Sequence, residues 1–212
     1  MSLTVYFLRH GQTILSSTDA FCGSGSDPEL TPEGLQMADE FAQAYAAKPW
    51  TAIYSSTLQR AISTAKPICD ATGTMLQIRD EVNEIGYGEW EGSTKAEVER
   101  ANPIKFQQWL ANPAVNVPPQ GELAANVSKR GLRLLKEIEA AQDGDVLVVS
   151  HKATIRIILC ALLGIDVSNF RSRIGCPVAS LTIVGFSSHG PMLQVLGDRS
   201  HLSSTLRSLP GT

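Results

Sequence analysis

Two of the four histidines in the chain follow apolar runs of the same kind. His10 comes after residues 3–8, Leu-Thr-Val-Tyr-Phe-Leu, with Arg9 between them, and His151 follows residues 145–150, Asp-Val-Leu-Val-Val-Ser. An imidazole can attack as a nucleophile or carry a proton, and a guanidinium binds anions. A single histidine in such a place is more often a capping or loop residue. The pair, with Arg9 beside the first histidine, favours a functional site.

Both apolar runs are rich in β-branched or aromatic residues, which is typical of buried strands. In open α/β folds, ligands bind at the carboxyl edge of the sheet, where such strands end. The two runs therefore predict strands that deliver Arg9, His10 and His151 to that edge.

A third strand-to-helix junction lies at residues 51–61. Ser56 and Thr57 stand where a helix N-cap is expected, and Arg60 falls in the first turns of the predicted helix. The start of a helix offers unpaired N–H groups and the positive end of the dipole, so an arginine there needs a partner. That partner is either an acidic neighbour or a bound phosphate, and we interpret the junction as an anion site. Arg156 has a weaker claim, and we assign it to a solvated helix face.

Five motifs resemble, in order and spacing, those of the histidine phosphatase superfamily; they lie at residues 8–13, 27–36, 55–65, 84–92 and 149–151. This superfamily contains cofactor-independent phosphatases and cofactor-dependent phosphoglycerate mutases. The resemblance runs from residue 3 to about residue 160, with a weaker echo at 200–202.

The resemblance implies a role for each motif residue. His10 is the nucleophile that forms a phosphohistidine, and Arg9, Arg60 and a protonated His151 form a positive clamp around the phosphoryl group. Composition alone does not choose among the neighbouring acids Glu81, Glu84, Glu89 and Glu91, but the resemblance selects Glu84 as the general acid and then the base that activates water. The implied substrate-binding residues are Arg9, Gln12, Ser16, Gly23, Arg60, His151 and Lys152.

Several residues depart from the family pattern. Gln12 stands where an acid is common, Ser16 where an asparagine is common, and Lys152 where a glycine is common. Lys152 either adds charge to the phosphate pocket or points to solvent, and we expect solvent. His201 either lines the substrate side or packs ordinarily, and we favour packing. These departures leave the identity of the substrate open.

Bulk properties are typical of one α/β enzyme domain. The chain has 212 residues and a formal net charge of −3, so it has no basic footprint for nucleic acid. The apolar runs are shorter than a membrane span, and because the charged motif already begins at residue 9 we expect no signal peptide. We expect a cytoplasmic protein that binds a small-molecule phosphate ester and no nucleic acid or membrane. A homodimer and a monomer are both open alternatives. No metal-binding motif is present, and we expect no metal or cofactor.

Predicted strands and helices alternate along the chain, which indicates an α/β fold. We expect a three-layer α/β/α sandwich with a mostly parallel central sheet, formed by residues 1–212 as a single domain. Residues 88–121 are predicted to leave the sheet as a small cap over the pocket. Residues 203–212 are predicted to be a loosely held tail.

The predicted activity depends on which branch of the family the chain resembles. The interval between Glu84 and His151 is short compared with phosphoglycerate mutases, and so is the tail that would have to close over the site. The resemblance therefore favours a metal-independent phosphatase of small phosphate monoesters. Two alternatives remain: a cofactor-dependent phosphoglycerate mutase, and a phosphate-binding or scaffolding protein without turnover.

Overall fold

The structure is a computed structural model that describes residues 3–211; Met1, Ser2 and Thr212 lie outside the described residues. Its strands are β1 (Leu3–Arg9), β2 (Trp50–Ser55), β3 (Leu76–Ile78), β4 (Gly144–Ser150), β5 (Leu181–Ser187) and β6 (Gly190–Asp198). Its helices are α1 (Ile14–Ser17), α2 (Pro32–Tyr45), α3 (Gln59–Thr72), α4 (Lys95–Ala101), α5 (Pro103–Ala111), α6 (Ala124–Ala141), α7 (Lys152–Leu162), α8 (Phe170–Arg173) and α9 (Ser204–Ser208).

The six strands form one sheet in the order β3-β2-β4-β1-β5-β6. Neighbours among the first four are parallel, whereas β5 and β6 are added antiparallel. This arrangement confirms the predicted mostly parallel α/β fold. The register pairs Arg9 at the end of β1 with Ser150 at the end of β4. The residues that follow, His10 and His151, therefore leave the sheet side by side.

Side chains of β1 alternate between two cores, because successive strand residues point to opposite faces. Val5 and Phe7 pack in one cluster with residues of α6 and α7, and Tyr6 and Leu8 pack in another with residues of α2 and α3. Helices therefore cover both faces of the sheet, and the three-layer expectation is confirmed.

The start of α3 differs from its prediction. The N-cap is Leu58, whose side chain makes no capping hydrogen bond, and the helix begins at Gln59. The Gln59 N–H donates instead to both carboxylate oxygens of Asp27, at 2.9 and 3.0 Å. The predicted Ser/Thr cap is wrong because a carboxylate from a distant loop supplies the acceptor.

Residues 88–121, the segment predicted to be a cap, contain α4, α5 and a loop. Phe21, from the loop after α1, packs in a cluster with the aromatic and apolar side chains of this segment, namely Trp90, Val98, Phe106 and Trp109. This cluster is separate from the two cores that flank the sheet. The segment thus has its own small apolar centre, joined to the loop that leads away from His10.

The prediction of a loosely held tail is wrong for its described part, residues 203–211. Leu206 in α9 is only 2% exposed and packs in a cluster with Met37 of α2. The Gln12 side-chain amide donates to the Pro210 carbonyl at 2.6 Å. These contacts of the C-terminal segment could not be predicted, because the polar residues around Leu206 suggest a solvated segment.

Candidate active site

A cavity of about 230 Å³ opens beside the carboxyl ends of β1 and β4. Its wall is formed by residues from the loop after β1, from 84–109 and from α7 and α8, all between positions 9 and 171. The lining residues are Arg9, His10, Ser16, Asp19, Ala20, Phe21, Cys22, Glu84, Tyr87, Lys95, Trp109, Lys152, Ala153, Arg156, Phe170 and Arg171.

His10 is held in a defined tautomer. Its Nδ1 lies 2.7 Å from the Gly11 carbonyl oxygen, and since that oxygen can only accept, Nδ1 carries the proton. Nε2 is then the unprotonated nitrogen, with a lone pair available for attack. Burial, followed by the charges of Arg60 and Arg9, holds the pKa of His10 well below its usual 6.5. The ring is therefore neutral at physiological pH.

His151 lies next to His10, with ring centroids 5.1 Å apart. Its Nδ1 accepts from Arg60 Nε at 3.2 Å, and its Nε2 lies 2.7 Å from the Ser56 hydroxyl. A ring that accepts at Nδ1 is neutral, and burial together with Arg60 lowers the pKa of His151 well below 6.5. His151 is therefore neutral here, and its protonation within a clamp around the phosphoryl group stays a prediction.

Arg60 is fully buried and lies behind the cavity wall. Its guanidinium donates to the carbonyls of Ser26 (2.6 Å) and Gly23 (3.0 Å) as well as to His151, and lies 3.7 Å from the Asp27 carboxylate. The interpretation of this helix start as an open anion site is corrected: Asp27 is the acidic neighbour that both the helix start and Arg60 require.

Gly23 lies at a close approach between chain segments. A Cβ there would come within 2.4 Å of the Glu91 carboxylate and 2.5 Å of the Ile85 carbonyl oxygen. Gly23 is not part of the cavity wall, and its carbonyl contacts Arg60. Its contribution to the site is to hold the guanidinium.

Arg9 lines the cavity beside His10. One of its terminal nitrogens donates to the Cys176 carbonyl at 2.9 Å. Burial lowers the pKa of Arg9 to about 10, so the side chain remains a cation at neutral pH. It is the motif arginine that the cavity exposes to a ligand.

Glu84 lines the cavity next to the start of α7. It is 4% exposed, and its carboxylate accepts from the backbone N–H groups of Ala153 (3.1 Å) and Thr154 (3.0 Å). The Thr154 hydroxyl and the Ile85 N–H also donate to it, at 3.1 and 3.0 Å. Glu84 therefore caps α7 and is held beside the cavity by the same contacts.

The two substituted motif positions differ in placement. Ser16 lines the cavity, and its hydroxyl accepts from the Thr13 N–H at 2.9 Å. Gln12 does not line it: its amide donates to Pro210, and its carbonyl oxygen accepts from the Thr31 hydroxyl at 3.0 Å. Gln12 ties the His10 loop to the C-terminal segment and to the start of α2.

Two residues that we expected in solvent line the cavity instead. Lys152 and Arg156 are one helical turn apart on α7 and face the same side. Burial, with the nearby charges of Arg9 and Arg156, lowers the pKa of Lys152 to about 7. Both solvent assignments are wrong, and the i,i+4 spacing of the two cations was the available signal.

No sequence pattern predicts the residues that form the outer wall of the cavity. Arg171 lies over the Trp109 ring, 3.7 Å from its centroid, and Lys95 pairs with Asp19 at 2.5 Å. The first contact joins α8 to α5 and the second joins α4 to the loop after α1, and no local pattern in the sequence marks either one. His201 packs against Phe41 and Tyr45, away from the cavity wall, in agreement with the favoured expectation of ordinary packing.

Residues 3–211 contain no candidate metal site and no candidate membrane-spanning helix. No group of three or more His, Cys, Asp or Glu side chains in this range could hold a metal ion. No helix in it is long and apolar enough to cross a membrane.

Comparison with known proteins identifies the family. The sequence profile of the histidine phosphatase superfamily (branch 1) matches residues 5–199, which span all five motifs. This chain belongs to that superfamily.

Several relatives that this chain resembles are named as phosphatases. Phosphoserine phosphatase 1 of Hydrogenobacter thermophilus is 33% identical over 177 residues, covering 83% of this chain and 83% of the relative. Glucosyl-3-phosphoglycerate phosphatase of Mycolicibacterium vanbaalenii is 32% identical over 171 residues, covering 77% and 75%. A solved mycobacterial glucosyl-3-phosphoglycerate phosphatase in complex with VO3 is 28% identical with a TM-score of 0.84, covering 92% of this chain and 99% of that one.

Proposed function

We propose that this histidine phosphatase superfamily member is a metal-independent phosphatase of small phosphate monoesters, with His10 as its nucleophile. The observation that carries the proposal is the tautomer of His10: the Gly11 carbonyl fixes the proton on Nδ1, which leaves the Nε2 lone pair beside a cavity lined with cations. A neutral, oriented imidazole next to bound phosphate is what nucleophilic phosphoryl transfer requires.

The first step forms a bond between His10 Nε2 and phosphorus while the bond from phosphorus to the ester oxygen breaks. Glu84, held at the wall by the α7 amides, acts in its protonated form: it gives that proton to the departing alkoxide and is left as the carboxylate. In the second step Glu84 takes a proton from water, the water oxygen attacks phosphorus, and inorganic phosphate leaves as the bond to His10 breaks.

The positive groups stabilise the charge on the transferring phosphoryl oxygens. Arg9 does so from the cavity wall, with Lys152 and Ser16 as further donors. Arg60 and His151 act from behind His10, where they hydrogen-bond each other. Gly23 holds Arg60 through its carbonyl, and Gln12 holds the loop that carries His10. A bound phosphate dianion favours the protonated form of His151, which would complete the clamp during the reaction.

Hydrolysis is favoured over mutase activity by the position of the C-terminal segment. α9 packs against α2, and no residue between 199 and 211 contributes to the cavity wall. A mutase must exclude water from its phosphoenzyme, which calls for a lid over the site. The proposed cap of residues 88–121 covers one side of the cavity and leaves the approach of water open.

The test is phosphate release from p-nitrophenyl phosphate and from 3-phosphoglycerate with EDTA present. We expect release from wild-type protein and none above background from His10→Ala, whose unchanged circular dichroism would show that the fold persists. Well-folded wild-type protein without release would favour the non-catalytic alternative. Interconversion of 3- and 2-phosphoglycerate with negligible phosphate release would favour the mutase.

A further inference from the structure

The cavity wall carries more positive charge than a phosphate ester needs. Of the described residues that line it, five are lysine or arginine and two are carboxylic acids. Three positive charges are therefore left over, since His10 and His151 are neutral. A phosphate monoester dianion offsets two of the three.

The two carboxylates of the wall are already engaged. Asp19 pairs with Lys95, and Glu84 accepts hydrogen bonds from the start of α7. Within residues 3–211, neither Lys152, Arg156 nor Arg171 forms an ion pair with a carboxylate. The Arg156 Nε is buried and has no hydrogen-bond partner among the described residues.

The three unpaired cations lie close enough to act on one another. Arg156 lowers the pKa of Lys152 and also that of Arg171 through charge repulsion, after the larger effect of burial in each case. Lys152 and Arg156 project from one face of α7, and the Arg171 guanidinium lies over the Trp109 ring of α5. Such repulsion is relieved when an anion binds between the cations.

We infer that Lys152, Arg156 and Arg171 form a second anion subsite and that the preferred substrates are phosphate monoesters that also carry a carboxylate. This inference rests on the proposed phosphatase function and assigns its substrate class. Arg156 and Arg171 are the specificity-determining residues, and Lys152, at the start of α7, is shared with the phosphoryl group.

Charge and geometry favour a carboxylate over a second phosphate. With Lys152 protonated, Glu84 ionised and His151 neutral, as before the reaction begins, one positive charge remains beside a phosphate dianion. That charge matches a monoanion, whereas a second phosphate dianion would leave the site negative. A guanidinium fork matches the two oxygens of a carboxylate. A volume of about 230 Å³ suits a compact acid of a few carbons.

The experiment compares substrates that differ only in the second group. 3-Phosphoglycerate and glycerol 3-phosphate share a three-carbon skeleton, but only the first carries a carboxylate. Fructose 1,6-bisphosphate and fructose 6-phosphate test a second phosphate in the same way, and p-nitrophenyl phosphate reports turnover itself. For wild-type protein we expect kcat/KM to be about tenfold or more higher for 3-phosphoglycerate than for glycerol 3-phosphate.

Variants assign the preference to residues. Arg171→Gln and Arg156→Gln should each bring the ratio of the two kcat/KM values to within about threefold of one, because each removes a charged donor to the carboxylate. The ratio is measured within one preparation, so partial loss of folded protein cancels. Arg173→Gln is the matched control, since Arg173 is an exposed arginine on the same short helix α8 and does not line the cavity.

Each outcome decides the inference. Turnover of p-nitrophenyl phosphate with equal kcat/KM for the two three-carbon esters would overturn the subsite and leave the proposed phosphatase intact. A larger preference for the bisphosphate would overturn the carboxylate assignment. A preference that survives both arginine changes would overturn the role of these residues. No release from any ester by well-folded protein would refute the phosphatase, and the inference with it.

Discussion

The candidate nucleophile and the candidate acid are both fixed by main-chain groups. The Gly11 carbonyl sets the tautomer of His10, and the amides at the start of α7 hold the Glu84 carboxylate. Each side chain is thus oriented by its own structure before a ligand arrives. Pre-orientation of this kind lowers the cost of reaching the transition state.

The general-acid role of Glu84 predicts an effect that depends on the leaving group. Glu84→Gln should lower kcat/KM for glycerol 3-phosphate by about 10²- to 10⁴-fold, because the alkoxide needs a proton. It should lower kcat/KM for p-nitrophenyl phosphate far less, because nitrophenolate leaves without one. Loss of the α7 cap should also reduce the free energy of unfolding by about 1 kcal/mol, measured by urea denaturation.

The matched control for this change is Glu89→Gln. Glu89 is exposed, lies five residues away and hydrogen-bonds Gln120 at the surface, so both activities should stay near the wild-type values. Equal losses on the two esters in Glu84→Gln would mean that Glu84 only positions α7.

The lowered pKa of Lys152 predicts a pH dependence of substrate binding. With a pKa of about 7, Lys152 is a cation below pH 7 and neutral above it. The KM for 3-phosphoglycerate should therefore rise above pH 7, approaching about tenfold per pH unit where only the protonated form binds. Lys152→Met should have a higher KM at pH 6 and lose the rise, as steady-state kinetics between pH 6 and 8.5 would show. A rise that persists in Lys152→Met would assign it to another group.

The lowered pKa of Lys152 also determines in which direction the stability of the fold changes with pH. Between pH 7 and the ordinary lysine pKa of 10.5, the unfolded chain binds one proton more than the folded chain at this position. Stability from Lys152 therefore increases as pH rises through that window, and the burial penalty is fully present below pH 7.

At the scale of secondary structure, the start of α2 holds the loop that carries His10. A Cβ on Gly34 would lie 2.1 Å from the Gln12 carbonyl oxygen, and one on Gly11 would lie 2.4 Å from the Gly34 carbonyl oxygen. The helix start and the loop are therefore in backbone-to-backbone contact. Only glycine permits this approach, so the motifs at residues 8–13 and 27–36 form one structural unit.

This contact predicts that Gly34→Ala lowers the free energy of unfolding by about 1 to 3 kcal/mol, because backbone must move to admit the methyl group. The same displacement should reduce kcat, since it shifts the loop that orients His10. Gly175→Ala is the control, as a Cβ there meets nothing within 4 Å. Thermal unfolding and phosphate release on the two variants provide the check, and wild-type behaviour of Gly34→Ala would show that the loop tolerates displacement.

Strands and helices were predicted correctly where the sequence pattern that specifies them is local. The apolar runs before Arg9 and before His151 are strands, and their pairing brings the two histidines together. Prediction failed where the partner lies far along the chain. Asp27 caps α3 from 32 residues away, and nothing in either segment indicates that pairing.

At the scale of the whole molecule, the cavity is formed by segments that only the tertiary fold brings together. Arg171 and Trp109 belong to separate short helices, and their contact depends on how the 88–121 segment packs. The sequence could thus predict the reactive centre, whose residues sit in motifs at strand ends. It could not predict the outer wall, because the charges of Arg156 and Arg171 look like those of any solvated helix face.

The measurement that tests the central claim most directly is capture of the phosphoenzyme. Wild-type protein is mixed with p-nitrophenyl phosphate in EDTA, quenched rapidly in base and examined as intact protein and as peptides by mass spectrometry. We expect one added phosphoryl group, labile to acid, on the peptide that contains His10, and none in His10→Ala. A phosphoryl group on any other residue, or undiminished turnover by His10→Ala, would contradict the account.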